Sequence, residues 1–280
     1  MQLNEKLHRL KMTFNVTPEM ERFVYLYLIV GESIHLIDTG VRGSERIIAG
    51  YLGSLGRGVA EVKSILLTHS HPDHIGGAKA IKELSNGTIY ACAQERAWIE
   101  DIDVQFRERP IPNFYGLVNQ SVSVDKIIRD GDVLPLDSGV TIKVLDTKGH
   151  SQGSLSFLWI EENIIFTGDA IPVVGDIPIY ISAKDSVGSL KKLLQVGANQ
   201  YLSAWSEVMN QQDGENAIEE ALALFDKINA AAANVLKQLP DGSDEEIVAG
   251  ICAALKLEQL IGNPLFRKSV IATVNEIKVP

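Results

Sequence analysis

The chain has 280 residues, 45% hydrophobic and 22% charged, a composition that excludes wholesale disorder and collagen-like structure. It carries 26 basic and 36 acidic residues, a net charge of −10, which argues against nucleic-acid or membrane partners held by a broad basic surface. Two cysteines, Cys92 and Cys252, cannot build a disulfide framework and point to a reduced, cytoplasmic protein.

The N-terminal segment interleaves charges with apolar residues and reads as neither a secretory signal nor a membrane span. Phe23–Val30 is the longest apolar run, far short of the roughly 18 to 20 residues that cross a bilayer. That run and Ser33–Asp38 are β-branched and aromatic, and Gly31-Glu32 between them predicts a hairpin. Further strands are predicted at Val62–Thr68 and Thr88–Ala93, alternating with helices over Ser44–Leu55 and Gly77–Leu84. After a short helix at Gln94–Ile102 the prolines and glycine of residues 107–116 argue against regular structure. Strands resume at Val140–Asp146, Ser154–Ile160 and Ile164–Thr167, followed by a helix at Ser186–Leu194 and a strand at Gln200–Ala204. The alternation occurs twice, so two strand-rich halves with helices outside are expected.

From Gly214 the texture becomes helical. Ile218, Leu222, Phe225, Ile228 or Asn229, Ala232 and Leu236 recur every three or four residues. Asp241-Gly242 ends that helix, Ser243 and Glu246 predict a capping box for a second, and a third follows Pro264. Residues 1–213 are thus read as the core and 214–280 as a helical cap or a homodimerisation element.

Three of the six histidines fall in Thr68-His69-Ser70-His71-Pro72-Asp73-His74-Ile75-Gly76-Gly77, straight after an apolar strand. Alternate residues at a strand end share a face, so His69 and His71 can aim at one point. Imidazoles with a carboxylate suit zinc, iron or manganese better than calcium or magnesium.

This stretch resembles the H-x-H-x-D-H motif of the metallo-β-lactamase superfamily. Thr147-Lys148-Gly149-His150-Ser151-Gln152-Gly153-Ser154 stands where that family has its second motif, with Lys148 in place of the usual proline. Phe166-Thr167-Gly168-Asp169 matches the third, and Leu36–Gly40 an upstream L-I-D-T-G. The resemblance implies an α/β fold, an αββα sandwich with a C-terminal helical extension and metals at one edge between the sheets. It implies His69, His71 and His150 as ligands of a first ion, and Asp73, His74 and a bridging Asp169 as ligands of a second. Asp38 is implied as the carboxylate that accepts a ligand histidine's other ring N–H, the alternative being a strand-end turn residue.

One departure from the pattern matters. Members with two complete sites place a last histidine at a late strand end, and no histidine follows His150 here. The corresponding segment includes Trp205 and Glu207; indole cannot ligate, so the vacancy falls to water or to Glu207 as replacement ligand, or only the first ion is held firmly.

Weaker candidates remain. Tyr180 either reaches the metals as acid or carbonyl-polarising donor or packs internally. Phe114 and Tyr115 are candidate pocket walls, and Lys148 is a candidate anion contact or a solvated lysine. His35 is read as a core residue, His8 as a surface one, and both cysteines as small core hydrophobes.

The resemblance implies a metal-dependent hydrolase acting on an ester, thioester or lactone carbonyl of a small-molecule substrate, with one or two zinc ions, iron or manganese being alternatives. Persulfide dioxygenase-like members, with one iron on the equivalents of His69, His150 and Asp169, are the second reading. A non-catalytic metal-binding protein is the third.

Overall fold

The structure, a computed structural model, describes residues 1–278. Twelve strands form two six-stranded sheets among these residues. The first takes β1 (Leu7–Thr17), β2 (Met20–Val30), β3 (Ile34–Ile37), β4 (Val62–Leu66), β5 (Thr88–Cys92) and β6 (Lys126–Ile128) in sequential order. Its first two pairings are antiparallel hairpins, and the last three are parallel. The second sheet runs β12-β11-β10-β9-β8-β7. These strands are β7 (Val133–Asp137), β8 (Val140–Asp146), β9 (Leu155–Trp159), β10 (Ile164–Gly168), β11 (Gln200–Ser203) and β12 (Met209–Asn210).

β2 shows how the apolar runs produce layers. Tyr25, Tyr27 and Ile29 point between the sheets, where they meet Val144, Phe157, Phe166 and Leu202. Val24, Leu26 and Leu28 alternate with them and face a cluster holding Ile48, Leu52, Ile81 and Ile99. A strand covered on both faces needs apolar residues at every position, which explains the unbroken run. The covering helices are α1 (Ser44–Ser54), α3 (Ala78–Ser85) and α4 (Arg96–Glu100). On the far side α7 (Ala183–Val196) and α8 (Gln211–Gln238) cover the second sheet, giving four layers in the order α-β-β-α.

The tail consists of α8, α9 (Asp244–Leu255) and α10 (Pro264–Lys278). Ile218, Ala221, Phe225 and Ile228 pack with Leu190, Leu193 and Tyr201, so the first half of α8 shares a core with the second sheet. Its second half joins Ile247, Ile251, Phe266 and Val270 in a cluster among the three tail helices. Ser243 caps α9 through the reciprocal bonds with Glu246 that the sequence predicts. No helix among the described residues is long and apolar enough to cross a membrane.

Two expectations need correction. Residues 107–116 are not wholly irregular, because α5 (Ile102–Glu108), capped by Asp101, and α6 (Phe114–Leu117) occupy much of this region. His8 is not on the surface but 3% exposed, on β1 with its Nδ1 2.8 Å from the Tyr51 hydroxyl of α1. β1 itself has no apolar run. Its charged side chains lie on aromatic rings instead, Arg9 4.0 Å from the Tyr25 ring centre and Lys11 4.2 Å from that of Phe23.

Candidate metal centre

The site lies where β3, β4 and β10 end, beside α2 (Pro72–Ile75). Asp38 directly follows β3 with a left-handed backbone (φ 60°), a conformation that aspartate tolerates better than most residues. That twist points its carboxylate across to β4's end. Oδ1 accepts the Thr68 amide at 2.8 Å, and Oδ2 accepts the Thr68 hydroxyl at 2.8 Å. Oδ2 also meets His74 Nδ1 at 2.8 Å. Pro72 starts α2 at a position where its missing N–H costs nothing, and one turn then carries Asp73 and His74 inward.

Two glycines let the remaining motifs approach. Gly168 (φ 50°) precedes Asp169, and a Cβ there would lie 2.7 Å from Thr68 Oγ1. Gly149 (φ 128°) precedes His150, and a Cβ there would lie 2.4 Å from the Ser186 amide. Both positions require the left-handed backbone and the close contact at once.

The result is a tight cluster. One ligand atom from each of His69, His71, His150 and Asp169 lies within 4.8 Å of the others. His71 Nδ1 is 3.0 Å from His69 Nε2 and 2.9 Å from His150 Nε2. Asp169 Oδ2 is 3.3 Å from His150 Nε2, and its Oδ1 is 3.2 Å from His74 Nε2. Asp73 Oδ2 stands 3.6 Å from that same nitrogen.

Hydrogen bonding settles which nitrogens face inward with lone pairs. The Ile179 carbonyl, 2.8 Å from His150 Nδ1, can only accept, so that nitrogen carries the proton and Nε2 is left bare in the neutral ring. The Thr68 hydroxyl gives its proton to Asp38, so it accepts from His69 Nδ1 at 3.0 Å and leaves His69 Nε2 bare as well. Asp38 takes the proton of His74 Nδ1 in the same way. The bare Nε2 atoms of His69 and His150 both face His71 Nδ1, at 3.0 and 2.9 Å, so imidazole nitrogens of three residues converge on one point. His74 Nε2 and Asp169 Oδ1 are buried 3.2 Å apart, and among the described residues neither makes a well-formed hydrogen bond. Such a donor set fits a divalent cation.

The electrostatics agree. Burial holds His69, His71 and His150 below the usual histidine range. Burial also disfavours charge on His74, but the carboxylates of Asp169, Asp38 and Asp73 outweigh it and raise its pKa. Burial would raise Asp169, yet His74 and His150 lower it, whereas Asp73 is raised, by burial first. The carboxylates around His74 thus favour one more positive charge, a proton or a metal.

A carboxylate not singled out in the sequence binds the motif loops together. Glu95, 3% exposed, accepts the Ser70 amide at 3.0 Å and the Ser70 hydroxyl, both through Oε2. Its Oε1 accepts the Ser151 hydroxyl at 2.7 Å and the Gly153 amide at 2.6 Å. A lone glutamate after β5 carries no sequence signal, since its donors come from loops about 25 and 56 residues away.

Several candidates lie elsewhere. Tyr180 is 2% exposed, its hydroxyl 2.8 Å from Thr273 Oγ1 and its ring against Phe225, so it fastens its loop to the tail and does not face the histidines. Glu207 does not fill the vacancy. Buried Arg9 needs a counter-charge, and Glu207 supplies it at 2.7 Å while also accepting from the Tyr25 hydroxyl at 2.5 Å. Trp205, at the end of β11, packs with Phe14 and Phe23 and lines the cavity beside the cluster. Phe114 is in the core and Tyr115 bonds Asp103, so neither walls that cavity; Ile111, Pro112 and Leu117 do. Lys148 pairs with Asp185 at 3.7 Å. His35 is buried, 3.2 Å from Asp137, as a core histidine.

The cavity measures about 360 Å³ and is bounded on one side by His71, Asp73, His150 and Asp169. The β1–β2 hairpin, residues 109–117, the loop after Asp169, Trp205 and residues 263–265 of the tail enclose the rest.

Fold and donor cluster together define an αββα protein with a buried His/Asp cluster able to hold a metal ion. The family description of the metallo-beta-lactamase superfamily matches residues 20–249, and the chain belongs to that superfamily. A probable metallo-hydrolase of Streptococcus pyogenes serotype M6 is 29% identical over 152 residues, 52% of this chain and 60% of that protein. A hydroxyacylglutathione hydrolase of Haemophilus influenzae is 28% identical over 111 residues, 39% of this chain and 50% of that one. The match thus spans about half to three-fifths of these curated relatives. A metallo-beta-lactamase family protein from Thermus thermophilus shares the fold over 99% of this chain and 94% of its own, with TM-score 0.76 at 22% identity.

Proposed function

We propose that the protein is a metal-dependent hydrolase of an ester, thioester or lactone carbonyl. The observation that carries this reading is the convergence of imidazole nitrogens and two carboxylates at the end of a largely apolar cavity. His69, His71 and His150 would hold one ion, and Asp73, His74 and Asp169 a second, with Asp169 shared. Zinc suits the set, and iron or manganese would also be accepted by these ligands. A bound metal supplies Lewis acidity, polarising a carbonyl and bringing the pKa of water towards about 7.

The chain's own residues do the rest. Asp73 and Asp169 present carboxylate oxygens that orient the attacking water and receive its proton. Asp38 and the Ile179 carbonyl fix the tautomers of His74 and His150, so the site needs no reorganisation when substrate arrives. The hydroxyacylglutathione hydrolase names among the relatives support a thioester over other acyl compounds.

The test is metal content per chain after purification without added metal, followed by a panel of thioesters, esters and lactones. His71→Ala is expected to lose both metal and turnover. His8→Ala, which removes a buried bond to Tyr51, is expected to lower stability while keeping metal. Absence of hydrolysis across the panel in zinc-, iron- and manganese-loaded protein would refute the reading.

A further inference from the structure

Arg109 opens the Arg109-Pro110-Ile111-Pro112 turn after α5 and lines the same cavity as His71, Asp73, His150 and Asp169. Several other arginines are matched to carboxylates, Arg9 to Glu207, Arg57 to Glu61, Arg96 to Glu100 and Arg267 to Glu245. Arg22, also at the cavity, is held by both oxygens of Asp176 and lies over the Trp205 ring. The Arg109 side chain has no hydrogen bond or ion pair among the described residues. It feels only the longer-range fields of Asp73, Asp169 and Glu95. A guanidinium is always charged and presents a planar fork of donors, so leaving it unmatched beside an apolar wall is costly unless a ligand completes it.

Most of the remaining lining is apolar. Phe14, Val16 and Met20 come from the hairpin, Ile171 and Ile177 from the loop after Asp169, and Leu265 from the tail. We infer that Arg109 is a specificity residue that receives an anionic group of the substrate, a carboxylate or phosphate, while an apolar chain fills the cavity. The fork fixes that group by two parallel bonds and so sets which carbonyl reaches the histidine cluster. Its role toward a substrate rests on the hydrolase reading; the anion site itself does not.

The test uses full-length, metal-loaded protein and three eight-carbon probes, octanoate, octyl phosphate and the neutral octanamide, with binding read by calorimetry. The wild type is expected to prefer at least one anion over octanamide by roughly ten- to hundredfold. Arg109→Met should erase that preference, leave octanamide binding and metal content unchanged, and Arg109→Lys should restore only part of it. The stronger of the two anions identifies the group. A second arm compares thioesters ending in carboxylate or methyl, where Arg109→Met should raise KM selectively for the acidic member. An anion preference that survives Arg109→Met, or no preference in the wild type, overturns the inference even if hydrolysis is observed. Absent hydrolysis with an Arg109-dependent preference would instead refute the hydrolase reading alone.

Discussion

Glu95 Oε1 accepts the hydroxyl of Ser151 at 2.7 Å, across 56 residues of sequence, and thereby ties the loop of His150 to the loop of His69 and His71. Four donors converge on this one buried carboxylate, so removing it leaves the Ser70 and Gly153 amides without their acceptor. Glu95→Ala is expected to destabilise the protein by about 3 kcal/mol and to weaken metal binding at least tenfold, because the loops lose their common anchor. Denaturant unfolding of the metal-free protein and competition with a chromophoric chelator measure the two effects separately. Lost stability with undiminished metal affinity would show Glu95 to serve the fold only.

Asp38 touches the histidine cluster through His74 Nδ1 at 2.8 Å. Asp38→Asn keeps a residue that tolerates the left-handed backbone but removes the charge facing His74 Nδ1 and the Thr68 hydroxyl. We expect a roughly 10- to 100-fold loss of affinity for the ion held by Asp73, His74 and Asp169. The ion held by the three other histidines should change less. Metal titrations resolving two steps check this, and an equal loss at both steps would contradict it.

The end of β11 offers no ligand to the cluster, since Trp205 there packs among aromatic rings. The second ion should therefore leave first under mild chelation, since a neutral nitrogen donor is missing from its set. Stepwise removal of metal followed by elemental analysis is the measurement. Simultaneous loss of two equivalents would show the second site to be complete by a route not involving these ligands. Glu207→Gln is expected to leave metal content untouched, because that carboxylate is committed to Arg9 and Tyr25.

The histidines give the metal-free protein a pH-dependent stability whose sign follows from burial. His8, His35, His69, His71 and His150 have folded-state pKa values below the unfolded value of about 6.5. As pH falls below about 6.5, the unfolded chain takes up protons at these sites that the folded one refuses, so stability drops. His74 is raised and works the other way, its contribution being complete below about 6.5 and lost as pH rises through its folded value. Five groups oppose one. Thermal unfolding of metal-free protein should show Tm decreasing from about pH 7 to about pH 5, and a rising Tm would contradict the assignment.

Phe225 joins the tail to the second sheet, 1% exposed, with its ring centre 5.0 Å from that of Tyr180. Phe225→Ala should cost roughly 3–5 kcal/mol, as expected for a large aromatic in a close-packed core. Because α8 shares its cluster with α7 and β11, a single cooperative unfolding transition is expected to shift as a whole. Separate early melting of the tail with an unmoved main transition would show the tail to be an independent unit.

The layers and most of the metal centre were legible in the order of residues. Fully buried strands such as β2 must be apolar at every position, and ligands crowded into His69–His74 are neighbours in any fold. His150 and Asp169 were legible through the motifs they resemble, and Gly149 and Gly168 before them meet a backbone and a contact that only glycine allows. β1 was not legible, since its charged side chains pack on rings supplied by another strand. Nor were the placements of Glu95, Arg109, Tyr180 and Glu207. A lone polar residue takes its meaning from partners distant in the chain, so whether a carboxylate faces a metal, a serine pair or a buried arginine is settled when the chain folds and not before.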